Sequence, residues 1–148
     1  MKTNKEGIKI LHEFEDCKLK AYLCPAKVWT IGWGNTFYAD GSKVKEGDKM
    51  TQIQADRLFE VILAKFESGV RNAIKVTLTD NQFSALVSFA YNVGLANFRG
   101  STLLRKLNIN PNDPSIGSEF LRWVNKGSAF EKGLTRRRKA ESDLYFKK

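Results

Sequence analysis

Apolar residues near the start of the chain recur with the spacing of an α-helix. In the segment TNKEGIKILHEFED, turning 100° per residue brings four apolar side chains onto one arc: Ile8, Ile10, Leu11 and Phe14. Thr3 stands three residues before Glu6, which is the spacing of a capping box at a helix start. The pattern therefore predicts a first amphipathic helix that is capped by Thr3.

A short β-hairpin is predicted directly after this helix. The stretches 21–23 and 28–31 are rich in β-branched and aromatic residues, and Pro25 lies between them. A polar loop with Gly41 and Gly47 follows the second stretch.

The rest of the chain has the pattern of helices. The segment TQIQADRLFEVILAKFESGVRNAI has helical periodicity and opens with a capping box of Thr51 and Gln54. The segment TDNQFSALVSFAYNVG opens with Thr79 and Gln82, is apolar nearly all round, and should end at Gly94, which is typical of a buried central helix. Further helices are predicted for three stretches: Ser101–Leu107, Asp113–Trp123, and a last helix from about Thr135.

These elements predict an α+β fold that is predominantly α. The 148 residues suit one domain, for which we expect two lobes. Residues 15–50 would form a small β lobe, residues 1–14 and 75–148 a helical lobe, and residues 51–74 a linking helix. A cleft between the lobes would lie beside Glu15.

Composition narrows the classes of function. A hydrophobic content of 42% is enough for a core, and a net charge of +9 indicates an anionic partner such as nucleic acid, an anionic membrane or an acidic wall polymer. No zinc-ligand spacing, RNA-binding aromatic motif or basic region with heptads is present, which disfavours nucleic acid. Two cysteines and one histidine predict neither a disulfide framework nor a histidine-based metal site, and we expect no cofactor.

The expected location follows from what the chain lacks. It has no apolar run of transmembrane length and no apolar signal core at its start, so we expect it to fold in a cytoplasm. If it acts outside that compartment, another protein must release it.

Glu15 differs from the acids that surround it in EFEDC. Glu13 and Asp16 fall on the polar arc of the first helix, whereas Glu15 projects at the apolar edge, near Leu11 and Ile8. Desolvation there would favour the protonated form, which suits a general acid. A structural ion pair is the alternative.

Counting forward from Glu15 gives the motif E-x8-C-x5-T, which ends at Thr30 and is followed by IGWG. Here the chain resembles the phage-type lysozymes, the endolysins that cut bacterial cell walls. The resemblance continues through LTDNQFSALVSFAYNVG, STLLRKLN and GLTRRRKAE. It implies a lysozyme-like fold and a monomeric muramidase that hydrolyses the β-1,4 bond between N-acetylmuramic acid and N-acetylglucosamine. The implied partners are peptidoglycan and the anionic cell envelope, and a holin-type protein would release the enzyme from the host cytoplasm.

The resemblance also implies a role for individual residues. Glu15 would protonate the glycosidic oxygen, Cys24 would occupy the family's Asp-or-Cys position, and Thr30 would hold a water or a substrate oxygen. Arg137 would be the basic residue near the catalytic Glu, whereas most of the basic run 136–139 should be a solvated face. Four more residues match positions that line the family's cleft: Tyr22, Gly34, Asn92 and Ser101.

Some alternatives remain open. Tyr22 could serve only in packing, Asn92 could satisfy backbone near a helix end, and Ser101 could be a helix cap. A thiol at Cys24 is mostly neutral at pH 7, and Asn35 stands where the family often has His. A lytic transglycosylase needs one acid and no second carboxylate, so it is the alternative enzyme, and a non-catalytic wall binder is a further possibility.

Overall fold

A computed structural model describes all 148 residues of the protein. Its elements, in chain order, are α1 (Lys5–Phe14), β1 (Cys17–Leu23), β2 (Trp29–Trp33), α2 (Gln52–Ala73), α3 (Asp80–Val93), α4 (Leu95–Arg99), α5 (Thr102–Ile109), α6 (Ile116–Phe120) and α7 (Glu131–Phe146). The prediction of a predominantly helical α+β fold is therefore confirmed. None of the helices combines the length and the apolar character that crossing a membrane requires.

The chain forms two compact units. The hairpin unit is His12–Lys65, and the helical unit consists of Met1–Leu11 and Phe66–Lys148.

The hairpin unit contains the antiparallel pair of β1 and β2, in which Tyr22 lies opposite Thr30. The connecting loop is closed by hydrogen bonds from the Cys24 amide to the Val28 carbonyl (3.0 Å) and from the Lys27 amide to the Cys24 carbonyl (2.7 Å). Lys27 has a φ of 62°, the left-handed residue that a three-residue hairpin loop needs before its second strand. Behind the hairpin is a small apolar core of Ala21, Ile31 and Val44.

The helical unit is built around α3. Every residue from Gln82 to Tyr91 is buried, as expected for a helix that is apolar nearly all round. The predicted capping box of Thr79 and Gln82 is present, and Gly94 ends the helix with a φ of 92° and an amide that donates to the Ala90 carbonyl. Helix α3 packs on α7.

The predicted cap of the first helix was wrong. Helix α1 begins at Lys5, and Asn4 caps it by accepting a hydrogen bond from the Gly7 amide at 3.0 Å. Thr3 instead donates both its amide (2.6 Å) and its hydroxyl (2.8 Å) to the buried carboxylate of Glu67. Thr3 therefore pairs with Glu67, 64 residues away, although the local spacing had predicted that Thr3 would cap the helix.

The predictions for the last helices need three corrections. Helix α7 begins at Glu131 rather than near Thr135. Its first turn includes Gly133, although glycine has a low helix propensity. Helix α6 covers only Ile116–Phe120, and the chain leaves it before Trp123. The five-residue helix α4 was missed, since so short a segment carries no readable period.

Candidate active site

Glu15 lies immediately after the end of α1, in a bend that leads into β1. Its side chain is half-buried and rests against Gly34, the residue after β2. A Cβ built on Gly34 would collide with Oε2 of Glu15 and lie 3.2 Å from its carboxyl carbon. Gly34 also has a φ of 77°, so both backbone conformation and space require glycine there.

Tyr22 lies close to this carboxylate. The residue is half-buried in β1, and burial raises the pKa of its hydroxyl. The negative charges of Glu15, Cys24 and Asp16 raise that pKa further. The hairpin therefore gathers Glu15, Tyr22 and Cys24 into one neighbourhood.

The thiol of Cys24 lies where the hairpin loop leaves β1. Burial raises its pKa, but hydrogen bonds from the Val28 amide, the Thr30 hydroxyl, the Ala26 amide and its own amide lower the pKa further, so the net shift is downward. The tight turn of the loop supplies these donors. A thiolate is therefore easier to form at Cys24 than at an ordinary cysteine.

The Thr30 hydroxyl has two acceptors within reach. It donates to the Val28 carbonyl at 2.9 Å, and it also lies close enough to stabilise the Cys24 sulfur. A hydroxyl carries a single proton, so it can serve only one of them at a time. The hydroxyl lowers the pKa of Cys24 only when it donates to the sulfur rather than to the Val28 carbonyl.

The remaining predicted site residues belong to the helical unit. The Ser101 hydroxyl accepts from the Leu104 amide (3.1 Å) and donates to the Phe98 carbonyl (2.7 Å), so the residue caps α5. That is the alternative role that the sequence left open. Asn92, in the last turn of α3, accepts a hydrogen bond from Arg138 through Oδ1.

The prediction that most of the basic run 136–139 is a solvated face was wrong in part. Arg137 is 3% exposed and Arg138 is fully buried, although Arg136 and Lys139 are exposed. Arg137 binds Glu141 through Nε (3.2 Å) and the Ser88 carbonyl through a terminal nitrogen (3.1 Å). Its expected pairing with Glu15 stays a prediction.

Glu141 and Arg138 were missed at the sequence level. A usable signal was present, because Glu141 stands three and four residues after two arginines, the spacing at which helix side chains pair. Asp16 is exposed, as its place on the polar arc predicts. Asn35, which stands where the family often has His, is buried and exchanges backbone hydrogen bonds with Ile31.

A carboxylate between the end of the first helix and the start of a hairpin is the arrangement that the resemblance to lysozymes implies. Residues 12–141 match the family described as phage lysozyme. An endolysin of Bacillus phage PZA is 40% identical over 98% of the chain, which spans 55% of that relative's length.

Two solved structures cover nearly the whole chain. An endolysin from Escherichia coli O157:H7 phage FAHEc1 superposes with a TM-score of 0.86 at 35% identity, covering 99% of this chain and 94% of that one. The muramidase domain of SpmX from Asticaccaulis excentricus superposes with a TM-score of 0.84 at 30% identity, covering 99% of both chains. The chain belongs to the phage lysozyme family.

Proposed function

We propose that this protein is an endolysin-type muramidase whose lysozyme-like fold hydrolyses the β-1,4 bond between N-acetylmuramic acid and N-acetylglucosamine in bacterial peptidoglycan. The observation that carries the proposal is the position of Glu15. Its carboxylate is half-buried against Gly34, at the open end of the hairpin that contains Cys24 and Thr30. The names of the related endolysins and of the muramidase domain support the substrate class.

Each group has a chemical role in the proposal. Glu15 donates a proton to the glycosidic oxygen as the bond breaks, which is the task of the general acid in glycoside hydrolysis. Cys24, whose pKa is held down mainly by backbone amides against the effect of burial, assists a water held by the Thr30 hydroxyl or stabilises the developing positive charge on the sugar. The net charge of +9 draws the protein to an anionic wall.

The test is the substitution Glu15→Gln on purified peptidoglycan. The amide keeps the shape of the side chain and removes the donated proton, so activity should fall by ~10²–10⁴-fold while folding is retained. Glu13→Gln and Asp16→Asn are matched controls, because both carboxylates are exposed. Loss of activity in Glu13→Gln with retention in Glu15→Gln would refute the assignment.

A lytic transglycosylase acting on the same bond is the second candidate, and the thiol at Cys24 favours it, since that reaction needs no second carboxylate. The product separates the two reactions. Hydrolysis releases a reducing sugar, whereas transglycosylation closes a 1,6-anhydro ring on the muramic acid. Mass spectrometry of the fragments that the wild type releases should show the hydrated product, and an anhydro product would select the second candidate.

A further inference from the structure

The positive charge of this protein lies entirely in its helical unit. The hairpin unit contains eight Lys and Arg residues and eight Asp and Glu residues, so its formal charge is zero. The helical unit contains 17 basic and 8 acidic residues, which accounts for the whole net charge of +9. The groups that the proposed chemistry uses, Glu15, Cys24 and Thr30, belong to the neutral unit. Attraction to an anion therefore originates in a different part of the chain from the proposed catalytic groups.

One hollow in the helical unit gathers exposed cations from two segments, and we call it the basic hollow. It has a volume of about 530 Å³ and lies between residues 72–75, at the end of α2, and residues 99–108, in α4 and α5. Three of its lining residues are basic and exposed, namely Lys75, Arg99 and Arg105. None of its lining residues is acidic.

Hydrogen bonds fix the walls of the basic hollow. Oδ1 of Asn108 accepts from the Lys75 amide at 2.8 Å, and Nδ2 of the same residue donates to the Ala73 carbonyl at 3.0 Å. Asn108 therefore ties the end of α2 to α5. The guanidinium of Arg105 donates to the Thr102 hydroxyl at 3.2 Å, which keeps it beside the first turn of α5. A site that exists before its ligand arrives loses little conformational freedom on binding.

The charges of the basic hollow select an anion. Its three cations repel one another, and a concave surface with walls of low dielectric constant focuses their potential. The start of α5 adds partial positive charge, since Gly100, Ser101 and Leu104 line the hollow. The Ser101 hydroxyl is already engaged as the cap of α5, so a ligand would meet the cations rather than this hydroxyl.

Phosphate is the anion that these groups suit best. A guanidinium fork binds two phosphate oxygens at once, and an ammonium adds a point charge on a flexible stem. Three cations exceed the charge of one carboxylate, but they match phosphates that repeat along a chain. A volume of about 530 Å³ also admits the organic unit that carries the phosphate. A second hollow of the helical unit, at residues 128–139, is lined by Glu131 as well as by basic residues, which disfavours a polyanion there.

We propose that the basic hollow binds the phosphate groups of a phosphodiester polymer attached to the bacterial wall. This inference rests on the proposed function, and it adds a site that holds the enzyme on the wall while the groups of the hairpin unit act on the glycan. A polymer is favoured over a lipid bilayer because a single chain can enter a hollow between two segments, whereas a bilayer presents its phosphates on a broad face.

The first test is a titration of the isotope-labelled protein with inorganic phosphate, followed by NMR. Shifts of the backbone amide signals should be confined to residues 72–75 and 99–108, which line the basic hollow. Shifts centred on residues 128–139, or spread over the helical unit, would overturn the proposal.

A pair of charge-matched double variants separates the basic hollow from net charge. Lys75→Gln with Arg99→Gln removes two of the three cations, so the Kd for phosphate should rise about tenfold or more. Lys5→Gln with Lys9→Gln is the control, because both lysines are exposed on α1 and each double variant lowers the net charge from +9 to +7. The control should keep the wild-type Kd. Equal weakening in the two variants would show that phosphate responds to net charge alone and would overturn the proposal.

The second test distinguishes the two sources of phosphate. A lipid-free glycerol phosphate polymer should bind the wild type, compete with inorganic phosphate, and bind the Lys75→Gln, Arg99→Gln variant about tenfold or more weakly. Vesicles of phosphatidylglycerol should show no difference between this variant and the Lys5→Gln, Lys9→Gln control. Vesicle binding that depends on the basic hollow, without binding of the polymer, would identify a lipid headgroup and overturn the proposal.

The third test measures the effect of the polymer on cleavage. The wild type should digest walls that retain a phosphodiester polymer faster than the same walls stripped of it with hydrofluoric acid. The Lys75→Gln, Arg99→Gln variant should lose this difference, and the control variant should keep it. A ratio of the two rates that is the same in both variants would overturn the role on the wall. A wild type that binds phosphate but cleaves neither wall refutes the proposed function, whereas an active wild type with no phosphate site refutes only this inference.

Discussion

Glu15 and Gly34 are in direct contact although 18 residues of hairpin separate them along the chain. The carboxylate occupies the space that a side chain at residue 34 would need. Glu15 lies two residues before β1 and Gly34 directly follows β2, so the two ends of the hairpin meet and the proposed acid lies at its open end.

Gly34→Ala should abolish most of the lytic activity. The added methyl group would push the Glu15 carboxylate away and would place an alanine at a φ of 77°, which costs ~1–2 kcal/mol of stability. Gly47→Ala is the matched control, because Gly47 has a φ of 87° with open space around its Cβ direction. Both variants should lose a similar amount of stability in thermal unfolding, and only Gly34→Ala should lose activity. Equal activity in the two would show that the contact with Glu15 does not matter.

Substitutions at Cys24 should reveal a partial role for the thiol. We expect Cys24→Asp to retain most of kcat, because a carboxylate can stabilise charge or activate water in the same place. Cys24→Ser should lose less than the ~10²-fold that loss of a general acid or base typically costs. Thr30→Ala should lose more than Cys17→Ser, since Cys17 lies outside the motif and contacts Gln52 instead. Full activity in Cys24→Ser would remove Cys24 from the mechanism, and an inactive Cys17→Ser would implicate the other cysteine.

Alkylation should report the state of the Cys24 thiol. In a Cys17→Ser background the rate with iodoacetamide should rise with pH to a midpoint below the ordinary value of 9.0, since backbone amides and the Thr30 hydroxyl outweigh burial and lower the pKa of Cys24. Thr30→Val removes one donor, so its midpoint should lie higher. An identical midpoint would mean that the Thr30 hydroxyl donates to the Val28 carbonyl alone.

Salt should weaken lysis more than it weakens folding. The chain carries a net charge of +9, and the Debye length shrinks from ~10 Å at 0.1 M to ~3 Å at 1 M salt. Turbidity assays on permeabilised cells across a salt series, compared with thermal unfolding in the same buffers, would measure both effects. A flat lysis profile would mean that charge does not guide the protein to the wall.

His12 should make stability depend on mildly acidic pH. Its ring stacks on Trp33 at 4.1 Å, and burial lowers its pKa from 6.5, although Asp56 opposes the shift. The unfolded chain then binds a proton more tightly than the folded one, so stability is present above the ordinary pKa and falls as pH drops through it. Thermal unfolding between about pH 7 and pH 5 should show this slope, and His12→Phe should flatten it. A slope that survives the substitution must come from another group.

Local patterns determined much of the secondary structure. The helical period, the capping boxes at Thr51 and Thr79 and the glycine at residue 94 predicted α2 and α3 with errors of a residue or so at their ends. These signals predict helices because a capping residue and the spacing of apolar residues both depend on neighbours within one or two helical turns. The hairpin could be predicted for the same reason, and the motif E-x8-C-x5-T then connected Glu15 to Cys24 and Thr30 through that hairpin.

Contacts between distant segments decided the rest. Thr3 pairs with Glu67, 64 residues away, instead of capping α1. The basic run could not reveal that Arg137 and Arg138 are buried, because this depends on how α7 packs on α3 and α6. That packing brings Arg137 to the Ser88 carbonyl and Arg138 to Asn92 and the Trp123 carbonyl. A charged side chain on a helix remains solvated unless the opposing surface supplies enough acceptors to replace water, and only the tertiary structure brings those acceptors together.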